Sequence, residues 1–287
     1  MSLRNLSVKI KIPKLLENKL KNKKIKKIYL NFEKSLDINE NFIVAVSGGP
    51  DSLALVFLAK IYSLKKRLIP KFFIVDHKLR KESSKEAKLV QKVLKKYSIK
   101  AEVLTWKGKR PLKNIQSFAR KIRFKLLYEK CNRLKIKNIL LGHHSEDLIE
   151  NFFLRMIRGS GLKGLVSLNK KVEINGKNLF RPLLDQKKED LIFISSYCFD
   201  FFIKDPTNQN QKFKRIKVRK LIKELKIDGL DEDKILMTIK NLKLSNDLVE
   251  SHVKNNLRKN TFFSIKKHKL FINKIFFDQP HEVTFRS

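Results

Sequence analysis

Cysteine is scarce in this chain of 287 residues, which has two, Cys131 and Cys198. They stand far apart, and neither belongs to a CxxC pair or has a histidine at metal-site spacing. The pattern argues against a disulfide framework and against a zinc site. Cysteines without disulfide partners suit a reducing compartment, so we expect a cytoplasmic protein.

Long apolar runs are also missing. No run approaches the ~20 residues that a membrane-spanning helix needs. The N-terminal MSLRNLSVKIKIPKLL has positive charges but no continuous apolar stretch, so an export signal is not expected. We therefore predict no membrane partner. The hydrophobic content of 42% is nevertheless enough to build a core.

Acidic residues are outnumbered: 28 Asp and Glu stand against 66 Lys and Arg, a formal net charge of +38. A field of this sign attracts phosphate backbones through counterion release, which favours a nucleic-acid partner. A second interpretation stays open. The excess is mostly Lys, and the chain is also rich in Ile, Asn and Phe, as a biased nucleotide composition would produce. In that case the lysines are a solvated decoration.

Short apolar segments alternate with helical patterns in the first half of the chain. Four strands are predicted at 41–46, 70–76, 101–106 and 138–142, with helices at 52–66, 83–96, 115–134 and 145–158. This alternation predicts an α/β fold, a parallel sheet wrapped by helices on both faces. Functional loops in such a fold follow the carboxyl ends of the strands. The segments placed there are Ser47–Asp51, Asp76–Arg80 and Gly142–Asp147.

The pattern changes after residue 165. Asn175-Gly176 predicts a hairpin turn, a helix is expected at 186–197, and 213–256 has a helical pattern. Two short strands are expected within 261–276. The resulting division is a basic N-terminal extension at 1–40, a central α/β domain at 41–212, and a helical linker with a small α+β C-terminal appendage at 213–287.

The segment SGGPDS at 47–52 follows the first predicted strand and precedes a helix for which Ser52 is a suitable N-cap. Its glycines let the backbone pass close to a ligand, and the N–H groups at a helix start favour an anion. No Lys follows, so this is not the GxxxxGK[ST] phosphate loop. Asp51 is placed to hold Mg²⁺ on a phosphate. The simpler interpretation is a plain strand-to-helix turn.

A second polar group lies in LGHHSEDLIENFFLRMIRGSG at 141–161. On a helical projection Asp147 and Glu150 share a face, where two acids could hold a cation. An ordinary amphipathic helix with a solvated charged face is the alternative. His143 and His144, just beyond a predicted strand, favour the functional interpretation. Adjacent histidines without a third ligand do not indicate zinc.

Arg123 falls inside the apolar arc of the helix predicted for QSFARKIRFKLLYEKC at 116–131. A charge in that position needs a partner, which is either a substrate phosphate or a structural carboxylate. Asp76 and His77 in VDHKLR, at the end of the second strand, are a weaker indication of a site.

Taken in order, SGGPDS, VDHKLR, IQSFARKIRF, LGHHSEDLIENFFLRMIRGSGLKGL, RPLL and DPTN resemble the motifs of the tRNA(Ile)-lysidine synthetase family, within the PP-loop ATP-pyrophosphatase class. The resemblance covers about residues 41–225. It implies an adenine-nucleotide hydrolase-like fold and an enzyme that uses ATP and Mg²⁺. The reaction it implies adenylates O2 of the wobble cytidine in an isoleucine tRNA with the anticodon CAU. Free L-lysine then attacks C2 through its ε-amine, giving lysidine, AMP and pyrophosphate.

By position, the resemblance implies a role for each motif residue. Asp147 and Glu150 would receive lysine, and Arg120 and Arg123 would lie near ATP and the tRNA. We add His143 as a catalytic residue. The family's C-terminal tRNA-binding part is expected to be shortened or missing. ATP binding is assigned to Ser47, Gly48, Gly49, Pro50, Asp51 and Ser52, with Mg²⁺ on Asp51.

Other functions stay open. A PP-loop tRNA thiolase commonly uses paired cysteines or an iron–sulfur cluster, and the two cysteines here stand on unrelated segments. A second alternative is a PP-loop amidating ligase for a small molecule, but no glutaminase domain is recognised and the positive charge would go unexplained. An inactive RNA-binding relative is a third alternative, against which the intact SGGPDS argues. The sequence does not fix the oligomeric state, and a homodimer is compatible with it.

Overall fold

The computed structural model describes residues 13–80, 82–109, 111, 115–203, 214–266 and 268–287. Residues 1–12 and the DPTN segment lie outside these ranges. In the described part of the chain, no helix is both long and apolar enough to cross a membrane. The helices are α1 (Lys14–Leu20), α2 (Lys23–Ser35), α3 (Pro50–Lys66), α4 (Ser83–Lys96), α5 (Ile115–Leu134), α6 (Ser145–Met156), α7 (Leu162–Leu165), α8 (Lys188–Phe199), α9 (Lys214–Ile227), α10 (Glu232–Asn260) and α11 (His281–Arg286). The strands are β1 (Phe42–Val46), β2 (Lys71–Asp76), β3 (Ala101–Thr105), β4 (Asn138–Leu140), β5 (Lys171–Ile174), β6 (Lys177–Phe180), β7 (Thr261–Ser264) and β8 (Lys269–Ile272).

Six of the strands form one sheet in the order β3-β2-β1-β4-β6-β5. Neighbouring strands are parallel except β5 and β6, which are antiparallel. Along β1, Phe42 and Val44 pack in one buried cluster with α2, α3, α4 and α8, while Ile43 packs in another with α5. Helices cover both faces of the sheet, which confirms the predicted α/β class. The antiparallel β7–β8 pair supplies the strands of the predicted C-terminal α+β region.

The hairpin between β5 and β6 has the turn that the sequence predicts. Asn175 and Gly176 have φ of 52° and 67°, so both central residues are left-handed, as a tight hairpin turn requires. The sequence does not predict that β6 then pairs in parallel with β4. This pairing extends the central sheet and brings the residues after β6 to the edge where the loops after β1 and β4 lie.

The helices α1 and α2 belong to the core next to the sheet. Leu16, Ile25 and Phe32 are fully buried in the cluster that contains Phe42 of β1. Asn22 caps α2, because its side chain accepts hydrogen bonds from the second and third N–H groups that follow it. The structure therefore differs from the division drawn at residue 40: the segment 13–40 packs as part of the α/β unit.

The chain divides into two compact units, Met1–Asp147 with Asn169–Asn210, and Leu148–Leu168 with Gln211–Ser287. The division drawn at residue 212 differs from this one, since 148–168 groups with the C-terminal segment. Ile149 and Phe153 of α6 explain the grouping, because they pack in one cluster with residues of α9 and α10. Asp231 caps α10 by accepting from the N–H groups of Asp233 and Lys234.

Candidate active site

The loop between β1 and α3 contains the SGGPDS motif. Gly48 has a φ of +84°, and a Cβ there would lie 2.6 Å from a methyl carbon of Val90 and 2.9 Å from one of Ile203. Both the backbone conformation and the packing require glycine. The carbonyl of Gly48 accepts a hydrogen bond from the N–H of Ile203 at 2.9 Å, which fixes the loop from outside.

Ser52 closes this loop from inside. Its hydroxyl accepts hydrogen bonds from the N–H groups of Ser47 and Gly48, both at 3.1 Å, and donates to the carbonyl of Gly49 at 3.0 Å. The prediction that Ser52 caps α3 is wrong. Gly49 occupies the N-cap position and Pro50 begins the helix, where a fixed φ and a missing N–H are tolerated. The buried Ser195 donates to the carbonyl of Pro50 at 2.6 Å and holds the helix start in place.

Two acids and a histidine meet beside the loop. Nε2 of His144 lies 3.7 Å from Oδ2 of Asp51 and 3.7 Å from Oδ2 of Asp147. The backbone N–H of His144 also donates to Oδ2 of Asp147 at 3.1 Å. Gly142 permits this approach, because a Cβ there would lie 3.2 Å from the backbone carbonyl of Asp51. The structure thus brings together the motifs at 47–52 and 141–147, as the parallel sheet predicts.

Asp51 suits a cation. Its Oδ1 is buried and has no hydrogen-bond partner. Burial raises the pKa of this carboxyl above its ordinary value; His144 opposes the shift, and the negative charge of Asp147 adds to it. A divalent cation would satisfy the buried oxygen and offset the repulsion between the two carboxylates. The residues present therefore fit Mg²⁺ held by Asp51.

His144 takes the central place between these acids, whereas His143 was predicted to be catalytic. His144 is buried, with 4% of its surface exposed, and His143 precedes it in the loop between β4 and α6. The signal for His144 in the sequence is its place beside His143 just beyond a predicted strand, and only its distance to Asp51 in the structure separates the two histidines. Which histidine serves the chemistry stays a prediction.

Asp76 and His77 follow β2 at the same edge of the sheet. Asp76 is buried, and although burial acts to raise its pKa, hydrogen bonds from Ser84, the N–H of Lys78 and Ser83 outweigh it, so the pKa is lowered. Burial, assisted by the positive charge of Arg123, lowers the pKa of His77 to about 4. His77 is therefore neutral near pH 7, while Asp76 is an ionised group that ties the loop after β2 to the start of α4.

Three arginines also lie at this edge. The helix α5 begins here because it follows β3, and it carries Arg120 and Arg123 in its first turns. Arg181 of the RPLL motif follows the last residue of β6. Burial lowers the pKa of Arg123 and of Arg181, and the positive charge of Arg120 adds to both shifts. Among the described residues no ion pair joins Arg123 to a carboxylate, and both predicted partners, a phosphate and a structural carboxylate, stay open.

Arg181 was not predicted as a site residue. Only 4% of it is exposed, its Nη1 donates to the carbonyl of Asn169 at 2.8 Å, and its Nε has no hydrogen-bond partner. A buried guanidinium with a donor left over is ready to bind an anion. Arg181 reaches the site because β6 pairs with β4, and no local sequence pattern indicates that pairing.

Glu150 belongs to the second unit, whereas Asp147 belongs to the first. The Glu150 carboxylate is buried, with 3% exposure. It forms an ion pair with Arg215 at 3.2 Å and a shorter one with Arg219. Both arginines come from the RIKVR segment of α9. Glu150 therefore binds two cations of its own chain, and its predicted role toward lysine stays a prediction.

A mostly parallel sheet wrapped on both faces, with a Ser-Gly-Gly loop and a partly buried acid at the carboxyl edge of a central strand, defines a nucleotide-binding α/β domain. The chain belongs to the PP-loop family, because the family described as PP-loop domain matches residues 17–225. Membership implies ATP as the nucleotide. The match begins inside α1, in agreement with the packing of α1 and α2 on the sheet.

Curated relatives agree with this assignment, and one solved structure has a similar fold. The tRNA(Ile)-lysidine synthase of Orientia tsutsugamushi (strain Boryong) is 36% identical over 207 residues, 72% of this chain and 47% of the relative. The tRNA(Ile)-lysidine synthase of Wolbachia pipientis wMel is 36% identical over 71% of this chain and 48% of the relative. This chain thus spans about half the length of these relatives. The fold is similar to that of the U34-tRNA thiolase NcsA from Methanococcus maripaludis with its [4Fe-4S] cluster, with a TM-score of 0.64, 18% identity, and coverage of 76% and 78% of the two chains.

Proposed function

We propose that this chain ligates free L-lysine to C2 of the wobble cytidine in an isoleucine tRNA with the anticodon CAU, at the expense of ATP. In the first step the cytidine O2 attacks the α-phosphorus, an O–P bond forms, and pyrophosphate leaves. In the second step the lysine ε-amine forms a bond to C2, the C2–O2 bond breaks, and AMP leaves with that oxygen. The ε-ammonium group loses two protons in this step, one before the amine attacks and one after the bond to C2 has formed.

The observation that carries the proposal is the meeting of Asp51, His144 and Asp147 beside the PP-loop. The N–H groups at the start of α3 and the helix dipole favour the triphosphate. Asp51 would hold Mg²⁺, which neutralises the charge that develops on the departing pyrophosphate. Ser52 fixes the loop backbone by accepting hydrogen bonds from the N–H groups of Ser47 and Gly48, so the N–H groups left for the triphosphate are those that follow them.

Asp147 would orient lysine, because it lies in the first turn of α6 and carries a charge opposite to an ammonium group of the substrate. The role predicted for Glu150 toward lysine requires that its ion pair with Arg215 or Arg219 gives way. A carboxylate raises the pKa of an ammonium group that it contacts, so attraction alone does not produce the neutral nucleophile. The acids therefore orient lysine, and one of them accepts the proton during attack.

The arginines would bind the RNA or the polyphosphate. Arg120, Arg123 and Arg181 lie at the edge of the sheet where the nucleotide binds, and the net charge of +38 favours a polyanionic partner. Thiolation, one of the alternative functions, is not favoured. Cys131 packs on one face of the sheet and Cys198 on the other, and burial raises the pKa of their thiols to about 11 and about 12. Two inert thiols on opposite faces cannot jointly hold a cluster or pass sulfur.

The two steps can be tested separately. Adenylation predicts exchange of labelled pyrophosphate into ATP that depends on the tRNA and needs no lysine. Addition of lysine then converts the adenylated tRNA and releases AMP. A sulfur donor in place of lysine should release no AMP from the same complex. Exchange without tRNA, or AMP release that ignores lysine, would contradict the proposal.

A further inference from the structure

The β7–β8 ribbon in the second unit exposes aromatic side chains. Phe262 on β7 is paired in register with Phe271 on β8, so the two rings stand on the same face. Their centroids are 6.5 Å apart and their planes 34° from parallel. The rings are 67% and 47% exposed, far more than phenylalanine in a core. The next pair on this face is Ser264 with Lys269, which is also exposed.

The opposite face of the ribbon has a different character. It carries Phe263 opposite Leu270, and Ile272 next to them, all exposed. This face has one ring, aliphatic neighbours and no charged residue in the strands. The two faces of one ribbon therefore offer a contrast, with two rings beside a lysine on one face and a mainly aliphatic surface on the other.

The chain segment that contains the ribbon, between Glu250 and Asp278, is basic. From Ser251 to Phe277 the sequence has seven Lys and Arg and no Asp or Glu. Exposed members of this set are Lys254, Arg258, Lys259, Lys266, Lys269 and Lys274. A second copy of the chain would bring the same charge to this surface and be repelled. An RNA strand brings phosphates, which this charge attracts.

We propose that the face formed by Phe262, Phe271 and Lys269 binds unpaired nucleotides of an RNA, with bases stacked on the two rings and a phosphate on the lysine. Exposed rings flanked by cations are the arrangement that single-stranded RNA recognition uses, because every base has a π-face that can stack. A duplex hides those faces, so this surface distinguishes unpaired from paired RNA. The inference rests on the proposed function for the RNA substrate, which has an unpaired anticodon loop.

The test compares leucine variants of the full chain. Phe262→Leu with Phe271→Leu keeps an apolar surface but removes both rings. We expect its affinity for a labelled single-stranded oligoribonucleotide of about 10 nucleotides to fall about 10-fold to 100-fold, as measured by fluorescence anisotropy. Affinity for the duplex of the same sequence should stay within about twofold, because phosphate contacts persist. Phe263→Leu makes the same chemical change on the opposite face and should bind both RNAs like the unmodified chain.

Three results would overturn the proposal. The first is unchanged single-strand affinity in the double leucine variant, and the second is an equal loss of that affinity in Phe263→Leu. The last is a dimer, detected by light scattering, that persists in the double leucine variant and dissociates in Phe262→Asp. In that case a second copy of the chain would cover this face. Lysine incorporation separates this inference from the proposed function. If the unmodified chain incorporates no lysine but the leucine variant still loses single-strand affinity, the proposed function is contradicted and this inference stands.

Discussion

At the scale of the residue, Asp51 combines a functional charge with a cost to the fold. Burial raises its pKa, so the neutral carboxyl stabilises the folded chain. This stabilisation is complete below the unfolded pKa of 3.8 and is lost as the pH rises through the higher pKa of the folded chain. At pH 7 the ionised carboxylate therefore destabilises the chain. We predict that Asp51→Asn abolishes tRNA-dependent pyrophosphate exchange, while its melting temperature equals or exceeds that of the unmodified chain. Asp37→Asn, an exposed acid before β1, is the matched control and should change neither. A destabilised and inactive Asp51→Asn would point to a structural role.

His77 gives a second residue-scale prediction, for acid stability. Its pKa of about 4 lies below the ordinary 6.5, so the unfolded chain binds the proton first. This contribution to stability is full above pH 6.5 and declines as the pH falls toward 4. The loss between pH 7 and pH 5 is at most about 2 kcal/mol, an upper bound because the ring is partly exposed. Urea unfolding at pH 7 and pH 5 should show that the free energy of unfolding falls less in His77→Gln than in the unmodified chain. An equal fall in the two chains would contradict the prediction.

At the scale of the element, α6 carries two acids with different surroundings. Asp147 lies next to His144, whereas Glu150 is buried with Arg215 and Arg219. We predict that Asp147→Asn and Glu150→Gln both raise the KM for lysine and largely keep pyrophosphate exchange. Only Glu150→Gln should also lower the free energy of unfolding, by about 1–2 kcal/mol, because its arginines are left without their carboxylate but partly reach water. If both variants use lysine normally and lose exchange, these acids belong to the Mg²⁺–ATP site instead.

The elements also show what the sequence can and cannot specify. The strands and helices from Phe42 to Met156 follow from local period and turn residues, and the structure agrees with them to within a few residues. The neighbours of β6 and the packing of α1 depend on contacts between distant segments, which no local pattern encodes. The same limit applies to the site. Ser47–Ser52 and Asp147 can be recognised as site residues from the sequence. Arg181 is recognised only once the strand order is known, and His144 only once its distance to Asp51 is known.

At the scale of the whole molecule, the charge of +38 is the dominant property. If the lysines bind RNA, six to ten phosphate contacts imply that affinity for the tRNA falls roughly 10³-fold to 10⁵-fold between about 50 and 200 mM salt. Filter binding across this range measures the slope. A nearly flat slope would mean that the lysines are a solvated decoration produced by composition. Melting temperature at both salt concentrations is the control for a change in the fold itself.

Attachment of lysine to the wobble cytidine can be followed by incorporation of labelled lysine into RNA. The chain is incubated with labelled lysine and isoleucine tRNA bearing the anticodon CAU, with and without ATP, and the acid-precipitated RNA is counted. We predict incorporation that requires ATP, is lost in Asp51→Asn, and is absent from a tRNA whose wobble cytidine is replaced by uridine. Lysine-free RNA under all conditions, in a chain that still binds ATP and the tRNA, would contradict the account.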